Sequence, residues 1–245
     1  MAKTRLLIFH HPPKYPPMKI HPNFISVLLY FFFAAPATWS AEPFKLLTVE
    51  PAALPEKNWT VGLQQTGFSW DDFYVNTNTI MDLTMTGNLG LKYVSKVNNS
   101  WAFTAGARYI HFFGESTLED FAKKQNSMIE SLKVKYNGYN AFVGTSYYWD
   151  WGAAHINTQY ANVSDSKILN LISALNIKMG PSWHTVIEAG HDFENKQPRG
   201  SLGILRSGET FGLRLGITYV EIKDPSININ LLPVLDFYWN FGDAR

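Results

Sequence analysis

The chain has no cysteine, so it has neither a disulfide framework nor a cysteine-ligated metal site. Charge is sparse: Asp, Glu, Lys and Arg make up 17% of the 245 residues, against a usual quarter or so. No apolar run reaches the roughly 18 residues a membrane-crossing helix needs. The net charge of +1 leaves no basic surplus for nucleic acid. What the chain has in quantity is aromatic side chains, at 15%.

The central stretch, Met81 to Tyr109, reads as one long hairpin. Met81, Leu83, Met85, Leu89, Leu91 and Tyr93 share one parity; Asp82, Thr84, Thr86, Asn88, Gly90 and Lys92 share the other. After a turn-forming Asn98-Asn99-Ser100 the alternation resumes, with Trp101, Phe103, Ala105, Ala107 and Tyr109 against Thr104, Gly106 and Arg108. Successive strand side chains point to opposite faces, so this sorts residues into one apolar and one polar face. A soluble sheet with one face on a core alternates in the same way. Length separates the two. Each arm has about ten residues or more, as a tilted strand across a bilayer requires (about 9–11), whereas ordinary strands run to about 5–6.

The pattern recurs along the chain. Ten strands are expected, over 59–64, 81–93, 101–109, 131–136, 140–150, 169–179, 183–192, 201–206, 211–219 and 235–241. A bulge explains a slip of parity near Gln65 to Phe68, and Asn137-Gly138 reads as a type I′ turn between two strands. Asp71–Asn78, 114–126 and 151–165 read as long loops, although His155 to Val163 also suits a strand. The fold class is therefore all-β: a closed antiparallel up-and-down transmembrane β-barrel of about ten strands, eight to twelve being open. Trp59, Tyr93, Trp101, Tyr136, Trp183 and Phe241 fall at strand ends on one level, as an aromatic girdle would. Tyr109, Phe113, Tyr147 and Trp149 are expected on the opposite level.

In front lies an export leader. Phe24 to Ala35 is an apolar run preceded by Lys14 and Lys19 and followed by small residues, which places cleavage after Ser40, with Ala37 as the alternative. Residues 1–40 are thus a signal peptide, and 1–17, ahead of Met18, suit a start-site extension. Removing the leader's four bases from +1 leaves −3. Residues 41–57 read as a periplasmic lead-in, although Phe44 to Val49 also suits an edge strand or an interaction segment. The barrel is assigned to 58–241 and a C-terminal tail to 242–245.

The last strand, Leu235-Asp236-Phe237-Tyr238-Trp239-Asn240-Phe241, carries aromatics at alternate positions. Through it, and through the alternation of the whole mature region, the chain resembles small bacterial outer-membrane β-barrel proteins, without a narrower family. That resemblance implies residence in outer-membrane lipid and recognition of strand 233–241 by the β-barrel assembly machinery. One departure is that Gly242-Asp243-Ala244-Arg245 follow the terminal aromatic.

The inward parity collects Asp82, Lys92, Arg108, Lys133, Lys135, Asp150, Lys178, His184, Glu188, Arg214 and Asp236. Acids and bases nearly balance, so they can pair, and burial of charge is tolerable when it is paired. The expected function follows: an integral outer-membrane barrel with a lumen largely filled by polar side chains, in a structural or surface-interaction role. A narrow channel for small solutes is the alternative, and an outer-membrane lipid-modifying enzyme ranks third. His184 and Glu188 share a face but sit roughly 13 Å apart at strand rise, too far to act as base and orienting acid. Nothing in the sequence brings Ser131 or Ser146 to His184, so no catalytic residue, cofactor or metal site is assigned. The loops 114–126 and 151–165 are the expected places for a surface partner.

Overall fold

The structure is a computed structural model, and it describes residues 42–79, 86–112, 137–163, 166–220 and 230–244. Its strands are β1 (Lys57–Gly62), β2 (Thr66–Trp70), β3 (Phe73–Thr77), β4 (Thr86–Lys96), β5 (Trp101–Phe112), β6 (Gly138–Trp149), β7 (Gly152–Val163), β8 (Ser166–Lys178), β9 (Trp183–Asp192), β10 (Gln197–Ser207), β11 (Phe211–Val220) and β12 (Leu231–Ala244). Each is antiparallel to its neighbours in sequence, and β1 pairs with β12 to close the barrel. Closure leaves no sheet edge, which a sheet facing hydrocarbon requires because lipid cannot hydrogen-bond a free edge.

Among the described residues there are twelve strands, against about ten expected. The slip of parity near Gln65 is the β1–β2 turn and not a bulge, and part of the expected Asp71–Asn78 loop is β3. The expected 151–165 loop is β7, paired along its whole length with β6 and β8. Gly138 begins β6, whose partners are β5 and β7, so Asn137-Gly138 does not join a hairpin. The strand expected over 131–136 lies outside the described residues. Gly242 to Ala244, expected as a tail, continue β12, with Ala244 opposite Lys57. β4 to β12 have 10–14 residues, while β1 to β3 have five or six.

The connections fall into two sets. One rim, the turn rim, carries β1's start, β12's end and the short turns at 71–72, 97–100, 150–151, 179–182 and 208–210. The other, the loop rim, carries connections at 63–65, 78–85, 113–137, 164–165, 193–196 and 221–230. The three longest connections, 78–85, 113–137 and 221–230, all lie at the loop rim, the asymmetry expected of an outer-membrane-type barrel.

The alternation decides which side chains meet which solvent. Leu89 is 61% exposed on the outside, Phe103 52% and Leu171 42%, and neighbouring strands set Leu175 beside Ile187, Ile187 beside Leu202, and Leu202 beside Ile217. These residues do not converge on a core. They form a continuous apolar belt of a kind a water-soluble surface does not carry.

Aromatics edge the belt at the turn rim, where Trp59 stacks on Phe241 at 6.4 Å and Trp101 meets Tyr147 at 4.8 Å. Tyr93 and Trp183 sit at this level too. All seven tryptophans among the described residues lie near this rim, their apolar rings and single N–H suited to a wet boundary. Two expectations are corrected. Tyr147 and Trp149 belong to the turn rim, because β6 runs opposite to the expected direction. Tyr139, Tyr160 and Tyr219 join Tyr109 at the loop rim. Tyr136 and Phe113 lie outside the described residues.

Candidate functional site: the lumen and the segment within it

An eight-stranded barrel is just filled by its own side chains, and sixteen strands leave an aqueous pore. Twelve enclose more space than side chains alone fill. Here the chain fills it with itself. Residues 42–56, expected as a periplasmic lead-in, lie inside the lumen, with Phe44, Leu46, Leu47, Val49, Ala52 and Ala53 buried. The physical reason is their composition: a stretch this apolar gains by leaving water, and the lumen offers it wall. The segment starts and finishes at the turn rim. Glu42 pairs with Lys178, the last residue of β8, at 2.6 Å, and Lys57 opens β1. Its tip, around Thr48, reaches mid-height of the wall.

A segment without regular structure has backbone groups to satisfy, and the wall supplies partners. The carboxylate of Glu188 accepts from the amide of Thr48 at 2.9 Å, from the amide of Val49 at 3.2 Å and from the Thr48 hydroxyl. Asn157 Oδ1 accepts the Glu50 amide at 2.6 Å, and Ser146 Oγ accepts the Ala52 amide at 2.8 Å. Carbonyls are met in the same way: Lys92 Nζ donates to Phe44 O (2.8 Å), Arg214 Nη1 to Leu46 O (2.6 Å) and Gln159 Nε2 to Thr48 O (3.0 Å). Arg214 is held in turn by Asp236 and by Gln64 Oε1. Lys92 also pairs with Glu50 of the segment at 3.3 Å. Charged donors and acceptors make the stronger hydrogen bonds, and here they go mainly to main chain.

Apolar contacts complete the fit. Leu46, Leu47 and Val49 pack with Ile172, Ala174, Val186 and Leu205, and Val234 flanks them. Gly203 and Gly216 face each other across β10 and β11, and a Cβ at either would approach Leu47 Cδ atoms to 3.0 or 2.9 Å. The paired glycines make the hollow in which Leu47 sits. Phe44 lies edge-on to Tyr238 at 4.9 Å and to Tyr74 at 5.9 Å, and Ala52 packs against Val94 and Ala102. The molecule is a plugged barrel.

Of the expected lumen network, Lys92, Arg108, Lys178, Glu188, Arg214 and Asp236 have their described partners inside the barrel. Most of them bond the plug rather than one another, which their parity alone did not reveal. His184 is fully buried in the lumen wall, but among the described residues neither ring nitrogen has a hydrogen-bond partner, against the expectation that it joins the network. Asp150 is exposed in the β6–β7 turn and belongs to no lumen network. Asp82, Lys133 and Lys135 lie outside the described residues, as does the 114–126 loop. The 151–165 surface loop does not exist as such.

Ser146 does find a histidine, though not His184. His155 Nδ1 lies 2.7 Å from Ser146 Oγ. The arrangement is that of plug support: the serine oxygen already accepts the Ala52 amide, both side chains are buried beneath the plug, and among the described residues His155 Nε2 has no partner to orient the ring. A nucleophile and its base need an orienting third group and room for substrate. Among the described residues no three potential ligands cluster as a metal site.

Above the tip, toward the loop rim, lies a cavity of about 300 Å³. Its charged lining is Lys45 and Glu50 from the plug and Lys92 and Arg108 from the wall, with Asn76, Asn88, Asn140 and Gln159 among the neutral groups.

No protein-family model and no curated protein matches the chain. Among solved structures, two multiply substituted variants of the Rh. blastica porin resemble it, each at 11% identity and a TM-score of 0.37. They cover 75% and 76% of this chain, which spans 56% of each porin. At that level of likeness the porins say nothing of what this barrel carries.

Proposed function

We propose that the protein is an integral outer-membrane β-barrel, exported by a cleaved leader, whose lumen is closed at rest by its own residues 42–56. One observation carries this reading. Side chains on β4, β6, β7, β9 and β11 converge on the main chain of Phe44 to Ala52, so the wall is built around the plug. Outer-membrane lipid is the partner the apolar belt suits, and strand 233–241 is the segment offered to the assembly machinery.

The reading changes what fills the lumen. A network of wall side chains would be permanent, whereas a plug tethered at one rim is a separable element held by a countable set of bonds. The barrel is therefore closed in its resting state and becomes a passage for small solutes if the plug leaves. Planar-bilayer recording tests both halves. The intact mature chain is expected to stay silent, and a chain lacking residues 42–56 to show stable open steps. Steady conductance from the intact chain would remove the closed state; silence from the shortened, folded chain would remove the passage.

A further inference from the structure

The wall holds the plug by its backbone more than by its sequence. Six wall side chains, Lys92, Ser146, Asn157, Gln159, Glu188 and Arg214, bond seven main-chain groups between Phe44 and Ala52. Among the described residues three polar contacts reach plug side chains: Glu188 with the Thr48 hydroxyl, Lys92 with Glu50, and Lys178 with Glu42. Main-chain groups are common to every peptide. In recognition of an extended chain they supply affinity, and side-chain pockets supply the choice between one chain and another.

Two apolar seats make that choice here. The hollow over Gly203 and Gly216 takes Leu47, since a Cβ at either glycine would press on the Leu47 Cδ atoms. The rings of Tyr74 and Tyr238 take Phe44 edge-on, at 5.9 and 4.9 Å. The two seated residues are three positions apart in the chain. The cavity of about 300 Å³ adjoins both the tip residue Thr48 and its wall partner Gln159. A chain arriving from the loop rim therefore meets the bonds of the tip while the plug is still docked.

We propose that the docked plug is a stand-in for the barrel's own solute, a short extended peptide with an aromatic and an aliphatic residue three positions apart. Such a peptide offers Glu188, Asn157 and Arg214 the main-chain groups that Thr48, Glu50 and Leu46 offer now, and its side chains fill the same seats. Peptide and plug exclude each other, so binding of the peptide frees the plug and opens the passage. The plug has the advantage of its tether, which gives it an effective concentration on the order of millimolar. The inference rests on the plug being docked as proposed above, and it names the solute of that passage.

The test is calorimetric titration of the full mature chain in detergent, carrying Leu47→Ala to weaken the plug and leave the wall intact. Three capped heptapeptides are the probes. One has the sequence of residues 44–50; one keeps only its Phe, Leu, Leu and Val, with serine elsewhere; one has the sequence of 44–50 with methyl groups on the nitrogens that match the Thr48 and Val49 amides. The first two are expected to bind saturably, within a few-fold of each other and at least tenfold more tightly than they bind the unmodified chain. The methylated probe, which cannot donate to Glu188, is expected to bind at least tenfold more weakly. No saturable binding of the first two, with slow amide exchange at Thr48 and Val49 in the unmodified chain, overturns the peptide site and leaves the plug standing. Binding of the native-sequence probe alone also overturns it, because the wall is then fitted to the plug only, and so does equal binding of the methylated probe. Fast exchange at Thr48 and Val49 in the unmodified chain without peptide overturns the plug, and the peptide site with it.

Discussion

The two sides of the plug are held in different ways. Toward β8, β9, β10 and β12 aliphatic contact predominates: Leu46, Leu47 and Val49 fit against aliphatic wall and into the hollow left by Gly203 and Gly216, and of the plug the Arg214–Asp236 pair meets only the Leu46 carbonyl. Toward β3 to β7 it meets charge, amides and a cavity. The dry side supplies adhesion without needing exact partners, since apolar burial is non-directional. The wet side supplies position, because a hydrogen bond tolerates little error in distance or angle. Glu188 belongs to both, a carboxylate at the edge of the apolar cluster that gathers the tip's amides.

This contrast can be broken most severely at Glu188. Glu188→Ala removes the acceptor of two amides and one hydroxyl at the tip, and charge-assisted bonds are worth about 1.5–3 kcal/mol each. It should undock the tip and give open steps in bilayer recordings while heat-modifiable gel mobility still shows a folded barrel. Next comes the dry side. Leu46→Ala empties a fully buried site, at a cost of about 2–5 kcal/mol. Its expected signature is faster amide exchange across 46–49 with protection in the β-strands unchanged. Asn157→Ala is milder: it orphans only the Glu50 amide, a loss of about 1–3 kcal/mol confined to that side. Exchange should rise at Glu50 and little at Leu46.

The smallest effect concerns pH. Docking lowers the Lys45 pKa from 10.5 to about 7. Between those values the undocked ammonium keeps a proton that the docked one has lost, so docking is favoured increasingly as pH rises from about 7 toward 10.5. Burial is the first cause of the shift; among the charged groups Arg214 and Arg108 add to it, and Glu50 and Asp236 oppose it. Open events of a weakened variant such as Asn157→Ala should become rarer from pH 7 to pH 9.5, on the order of the window set by this shift. Adding Lys45→Met should abolish that trend.

Much of the barrel is legible in the sequence because its two faces meet different solvents. Leu89, Phe103, Leu171 and Leu213 share a parity, and so do Lys92, Arg108, Glu188, Arg214 and Asp236; that assigns outside and inside without coordinates. The count is harder. The turns at Asp71-Asp72 and Asp150-Trp151 contain neither glycine nor proline, and Asp71 adopts a positive φ of 47° that few residue types accept. Without their usual signals, β2 and β3 read as a bulge and a loop, and β7 as a loop. Asn137-Gly138 has the composition of a turn and is the threshold of β6, so a strong local signal was overridden by pairing.

The plug was partly legible. Phe44-Lys45-Leu46-Leu47-Thr48-Val49 is more apolar than the periplasmic lead-in expected of it, and its apolar side chains are buried against the wall. Its partner was not readable, because the bonds from Glu188 to Thr48 and from Arg214 to Leu46 span about 140 and 168 residues. Nor does parity say whether an inward charge will meet another charge or a backbone amide. Ser146 with His155 makes the same point: two strands brought them together once β7 existed, and the plug's Ala52 amide gives the pair its use.

The absence of cysteine allows the most direct measurement, the reaction of single introduced thiols with a membrane-impermeant maleimide on the intact mature chain. Leu47→Cys should react orders of magnitude more slowly in the folded protein than after unfolding, and Glu188→Ala in the same chain should restore much of the rate. If Leu47→Cys reacts as fast folded as unfolded, residues 42–56 do not occupy the lumen.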